Sequence, residues 1–226
     1  MGLFNKIKKI LNIDGNAGND TNKDENTMSN PYIDSQAIEA LSLACIKLDE
    51  NLGLKSTGRC GICVKFVDSE SFKEMKVYID NLLNIVKDKN KIDFDVTFNS
   101  IIDNYGYLWF IIKGKSIAEI VAVINAIGDS IHEKGFSRQL LANIFEFSSG
   151  YNENNRGDLQ NYQYLIYNYK IDKFYPFVPI TSNFGSNEKR RNHDQEMKIQ
   201  NEISETIKIE EKLSMWYPIW NIPFNN

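Results

Sequence analysis

Phe174-Tyr-Pro-Phe-Val-Pro179 sets three aromatic rings and two prolines in six residues, directly after a tyrosine-rich run. Proline has no N–H for a sheet ladder and its ring fixes φ, so the stretch cannot be an ordinary central strand. The expected outcome is an extended, rigid arm that leaves the sheet and covers something apolar. The same chemistry returns in Trp216-Tyr-Pro-Ile-Trp-Asn-Ile-Pro-Phe224. Such arms can be lids on a core or an exposed recognition surface, and both readings stay open.

Upstream of the arm, Tyr162 to Lys170 reads as a strand, reached by a Gly/Asn-rich loop over 149–161 from another strand, Leu140 to Phe147. Further back, Ile92, Phe94, Val96 and Phe98 alternate with polar residues as a half-buried strand. Asp103-Asn-Tyr-Gly106 supplies turn residues, and Tyr107 to Lys113 returns as a hairpin. Ser116 and Glu119 have capping-box spacing before a helix lined by Ile120, Ile124, Ile127 and Ile131, which Gly135 closes. Earlier still, Asp34 caps a helix carrying Ile38, Leu41, Cys45, Leu48 and Leu52. Arg59 to Val67 alternates as a strand, and Asp68 opens a helix with Phe72, Met75, Ile79, Leu82 and Val86. After the arm comes a polar loop, 181–193. Residues 194–213 then read as a charged helix with a thin stripe of Ile199, Ile203 and Ile207. A hairpin and neighbouring strands favour an α+β fold: a largely antiparallel sheet of about five strands with helices packed on it.

Residues 1–13 place Leu3, Phe4, Ile7, Ile10 and Leu11 on one helical face, opposite Lys6, Lys8 and Lys9. That pattern fits an interfacial helix or one docked on its own domain. Residues 14–31 are almost wholly polar and should form a flexible linker. A basic, apolar helix on such a tether favours the membrane-surface reading. The domain itself then spans 32–226.

At 226 residues and a net charge of −4, the chain suits one soluble domain and is a poor general binder of nucleic acid. No run is long enough for a transmembrane helix. Three cysteines, Cys45, Cys60 and Cys63, argue against a disulfide framework and for a reducing cytoplasm. Cys60-Gly-Ile-Cys63 spells C-x-x-C, but inside a strand residues three apart face opposite sides. No metal, cofactor or redox role is expected there. Asp93 and Asp95 could pair as acid and base, or be the wet face of a strand. Ser148-Ser149-Gly150 lacks a nucleophile-elbow pattern, and no phosphate-binding loop is present.

Several blocks resemble one family. They are the Met1-Gly-Leu-Phe4 start, Gly53 to Val67, Asp103-Asn-Tyr-Gly-Tyr-Leu-Trp109 and Gly135 to Leu141. Tyr167-Asn-Tyr-Lys170, the Phe174 arm, Arg191-Asn192 with Glu196, and the Trp216 stretch complete the set. In order and spacing the chain resembles the PspA-associated protein family PspAB, with the linker 14–31 and the loop 149–161 as apparent insertions. The resemblance implies ties to a phage-shock-type envelope stress response, to the membrane-remodelling protein PspA and to the membrane metalloprotease HtpX. It implies no catalytic residues. The role it implies is a non-enzymatic accessory or regulatory protein at the inner face of the cell membrane, in a bacterium or archaeon.

The partner-binding candidates are Asp103, Tyr105, Trp109, Phe174, Tyr175, Phe177, Arg191, Trp216 and Trp220. Asp103, Tyr105, Tyr175 and Arg191 would instead form an enzyme site if the arm folds back over the hairpin. A third reading is a secretion-chaperone-like module holding a client on an exposed sheet face or edge.

Overall fold

The computed structural model describes residues 35–87, 95–149, 162–180 and 189–224. The expected helix over 1–13, the linker 14–31, the Asp34 cap and the loop 150–161 lie outside the described residues. So do Ile92, Asp93 and Phe94.

The chain runs α1 (Ser35–Leu52), β1 (Leu54–Lys65), α2 (Glu70–Lys87), β2 (Val96–Ile102), β3 (Tyr107–Gly114) and α3 (Ile117–Glu133). It continues through β4 (Leu140–Ser149), β5 (Tyr162–Asn168), β6 (Lys173–Phe177), the short pair β7 (Pro179–Ile180) and β8 (Arg190–Arg191), and α4 (His193–Ile203). Six strands form one antiparallel sheet in the order β2-β3-β1-β4-β5-β6. The fold is α+β, as the residue pattern implies.

Strand periodicity gives the sheet two apolar faces. Ile62, Val64, Leu108, Phe110, Phe145 and Leu165 point to the helices. There they meet Leu41 and Leu48 of α1, Phe72 and Ile79 of α2, and the isoleucines of α3. Residues 120–131 of α3 are buried without a break, so this helix is wrapped by the core on all sides. The second face carries Trp109, Ile144, Ile166, Tyr175 and Phe177. The segment after α4 covers it with Trp216, Ile219, Trp220, Ile222 and Phe224.

The Phe174–Pro179 stretch departs from the expected arm. Lys173–Phe177 pairs with β5 as the last strand of the main sheet. An edge strand can hold Pro176, because the N–H that proline lacks would face the outer side, as that of Phe174 does, and not the ladder to β5. The outer side of β6 is itself partly engaged, with Phe174 N–H donating to Lys208 O and Glu210 N–H to Phe174 O, both at 2.8 Å.

Three further elements differ from the residue reading. β1 begins at Leu54, ahead of Arg59, because a register shift between Ser56 and Cys60 hides the strand behind polar residues and Gly58. Gly58 has φ +73°, and a Cβ there would lie 2.2 Å from Gly114 O, so only glycine fits. Ser116 precedes α3 but makes no side-chain capping bond, so the capping box does not form. α4 stops at Ile203 instead of running to 213. Ile207 and Ile209 are buried on either side of exposed Lys208, a period of two that the helical stripe absorbed.

Candidate functional site

The second face is only partly covered. Between the β2–β3 turn, the lower ends of β4 and β5, and residues 217–220 lies a half-open cleft of about 850 Å³. A volume of this order suits a small ligand or a few anchoring side chains. Its floor is Cys63, Trp109, Leu141, Ala142 and Tyr175. Tyr105, Tyr107 and Tyr217 stand exposed at the mouth, with Ile219 and Trp220 forming the tail-side wall. Arg138, Lys170 and Lys189 contribute three cations, all on exposed residues.

Asp103, Tyr175 and Cys63 in the cleft are held by the fold. Asp103 Oδ1 accepts the N–H groups of Tyr105 and Tyr107 at 2.8 and 2.9 Å, and Oδ2 accepts Trp109 Nε1–H at 2.8 Å. One carboxylate thus closes the turn and fixes the floor indole. Tyr175 O–H donates to Tyr217 O at 2.9 Å, and burial pushes its phenol well above the ordinary value. Burial, with the Asp103 charge adding to it, pushes the Cys63 thiol up to about 12, so it is no nucleophile at neutral pH. Ser137 Oγ lies 2.7 Å from His132 Nδ1, the contact an activated nucleophile would need. His132 is exposed in the last turn of α3, and no carboxylate orients it among the described contacts.

Two buried arginine–glutamate pairs fasten the covering segment. Arg191 donates from Nε to Glu196 Oε1 at 2.9 Å and from Nη1 to Trp216 O at 2.6 Å. Glu196 is fully buried and also accepts Val178 N–H at 2.8 Å. At the other end, Arg59 donates to Glu146 Oε1 at 2.7 Å and to Phe224 O at 3.2 Å. Thr57 Oγ1–H also reaches Glu146 Oε1 at 2.7 Å. Burial raises the Glu146 carboxyl above its ordinary range, while Thr57 and Arg59 pull the other way.

Of the candidate residues, Asp103, Tyr105, Trp109, Tyr175 and Trp220 meet in the cleft. Phe177 and Trp216 are buried under the tail, Phe174 belongs to the helix-side core, and Arg191 is a fastener. Asp103, Tyr105 and Tyr175 therefore converge as the enzyme reading required, but without Arg191. Leu3, Phe4, Lys6, Ile7, Lys8, Lys9, Ile10 and Leu11 lie outside the described residues. Residue reasoning did not place Arg138, Lys170, Lys189 or Tyr217 in a cleft, although Arg138, Lys170 and Tyr217 sit inside the quoted blocks and the run Lys189-Arg190-Arg191 reads as solvated or as a contact for phosphate or an acidic partner. It also missed Glu146, whose partner Arg59 lies far away in sequence.

Cys60 and Cys63 fall on opposite sides of the sheet, one in each core cluster, and all three cysteines are free. Asp95 is exposed and pairs with Lys115. Among the described residues there is no cluster of metal-ligating side chains, and no helix is long and apolar enough to cross a membrane.

The family model of PspAB, PspA associated protein B, matches residues 25–224. No curated protein and no solved structure matches the chain.

Proposed function

This chain belongs to the PspAB family, and from that premise we propose a non-enzymatic adaptor of a PspA/HtpX-type envelope stress response, working at the cytoplasmic face of the membrane. The family places it as a PspA-related accessory protein. Its contact surface is the aromatic cleft. One observation carries this reading: Asp103, Tyr175 and Cys63 of the cleft are committed to the fold or held protonated, while Tyr105, Tyr107, Tyr217 and the cations are exposed at its mouth. Tyr, Trp and Arg are the side chains that dominate binding energy at protein interfaces.

The membrane component is residues 1–13. Lys6, Lys8 and Lys9 would each contribute about 1 kcal/mol beside an anionic surface. So short a helix binds weakly and reversibly, which leaves the domain free to engage a partner.

The test is affinity capture from crosslinked native cells under membrane stress, with residues 1–13 present or deleted. PspA-type or HtpX-type protein should be recovered with the full chain, and deletion should move the complex out of the membrane fraction. Recovery of neither protein would overturn the adaptor reading. An unchanged membrane fraction on deletion would overturn the anchor.

A further inference from the structure

The protein as a whole is acidic, with a net charge of −4. The cleft mouth is not. Arg138, Lys170 and Lys189 border it, and no ion pair engages any of them among the described contacts. Its one described acidic lining residue, Asp103, has both oxygens occupied by three N–H donors. The site therefore presents an apolar, aromatic floor inside a cationic rim on an otherwise acidic molecule.

We propose that the cleft takes an acidic segment of a partner protein, with apolar side chains against Trp109 and Ala142 and carboxylates over Arg138, Lys170 and Lys189. This rests on the adaptor reading above and adds the chemistry of the bound segment. Charge complementarity excludes the basic residues 1–13 of this chain as the occupant, since their lysines would meet lysines and an arginine. The half-open mouth and its tyrosine hydroxyls suit a peptide, whose backbone needs polar partners, better than an acyl chain.

A random-sequence peptide library panned on the immobilised full chain tests this directly. The counter-screen is the triple variant Arg138→Glu/Lys170→Glu/Lys189→Glu, whose positions are exposed; Lys189 also lies over the Trp220 ring, 5.9 Å from its centroid, so a urea melt of the variant checks that the fold is kept. The selected peptides should combine net negative charge with one or more aromatic or aliphatic anchors. Their affinity should fall at least about tenfold on the triple variant, and fall with rising salt. Binding of phosphatidylglycerol vesicles should not change in the triple variant. Neutral or basic selected peptides would overturn the proposal, as would equal affinity for the triple variant. It would also fail if the variant lost vesicle binding while keeping peptide binding, which would make the rim a lipid site. Acidic peptides selected here without PspA-type protein in the capture experiment would sink the adaptor role and leave the cleft chemistry standing.

Discussion

An alanine at position 61 would carry its Cβ to 2.7 Å from Cε1 and 3.2 Å from Cζ of Phe224, and to 3.2 Å from Cε3 of Trp109. Carbon contacts settle at about 3.5–4.0 Å, so the ring of Phe224 has to move. Gly61 lies in β1 without a positive φ, so its backbone suits any residue. With space available, Gly→Ala would stabilise by about 0.4–1 kcal/mol by restricting the unfolded chain. Overpacking opposes this by about 1–3 kcal/mol. The net expectation is a loss of about 1–2 kcal/mol in the native protein. Phe224→Ala alone should cost about 3–5 kcal/mol, because the ring is buried against the sheet. In that background the contacts with Phe224 are gone and only Trp109 Cε3, at 3.2 Å, stays close, so Gly61→Ala should become near neutral. The double-mutant cycle would then show a coupling of about 2 kcal/mol, within the range for residues in contact. Urea denaturation of the four proteins, read as midpoint and slope, measures it. Equal cost of Gly61→Ala in both backgrounds would mean that Phe224 does not sit over Gly61, and the second face would have to be redrawn.

Ending the chain after Ser214 removes Trp216 and Phe224, both buried. It should cost about 6–10 kcal/mol, most of an ordinary domain's stability, and abolish a cooperative melt; a wild-type melting temperature would show the segment to be pure interface. Arg191→Ala leaves buried Glu196 without its arginine, with only the exposed His193 ring 3.0 Å from Oε2, and should cost about 3–5 kcal/mol; adding Glu196→Gln should recover part of this, and no recovery would refute the charge argument. Burial raises Cys45 and Cys63 to about 12 and also raises the phenols of Tyr164, Tyr167, Tyr169 and Tyr175. Each is an acid whose folded value lies above its unfolded one, so the stability it contributes is complete below the unfolded value. Thermal stability should therefore fall as pH rises from about 9 upward, with the tyrosinate absorbance of these four phenols appearing as a step on unfolding, over and above that of the exposed tyrosines; early, gradual ionisation of the four would contradict their burial.

The sheet was legible in the sequence wherever one side of a strand alternated cleanly, as in Ile62-Cys-Val64 and Leu108-Trp-Phe110. The two faces of the C-x-x-C motif followed from the same period. What failed were the places where contacts distant in sequence override a local pattern. Pro176 reads as a strand breaker, yet the strand sits at an edge whose free side is bonded to residues 208 and 210. Ile199, Ile203 and Ile207 share helical spacing, yet the helix ends at Ile203 and two residues past Ile207 the chain is extended, with Ile209 bridging Phe174 of β6. The cleft was half visible. Asp103, Tyr105 and Tyr175 were picked out as a group, but its cationic rim gathers Arg138, Lys170 and Lys189 from three separate loops that no local periodicity links.

The cleft and the tail are two outcomes of one feature of the sheet. On the second face, neighbouring strands carry small residues at Gly61 and Cys63 of β1, and Cys63 is paired across the ladder with Ala142 of β4. Large rings flank them: Trp109 pairs with Cys63 from β3, and Tyr175 stands in β6. Small side chains beside large ones leave hollows, and a hollow forfeits contact energy for its lining unless something fills it. At Gly61 the chain fills its own hollow with Phe224, held down by Arg59 through the Phe224 carbonyl. At Cys63 and Ala142 the covering segment instead arches past, tied by the Tyr175 hydroxyl at Tyr217 O and by Arg191 at Trp216 O. The wall of the cleft is thus the fastened segment itself, so the opening is set by the same bonds that hold the domain closed. A partner's apolar side chain seated on Ala142 would complete there the packing that Phe224 completes over Gly61.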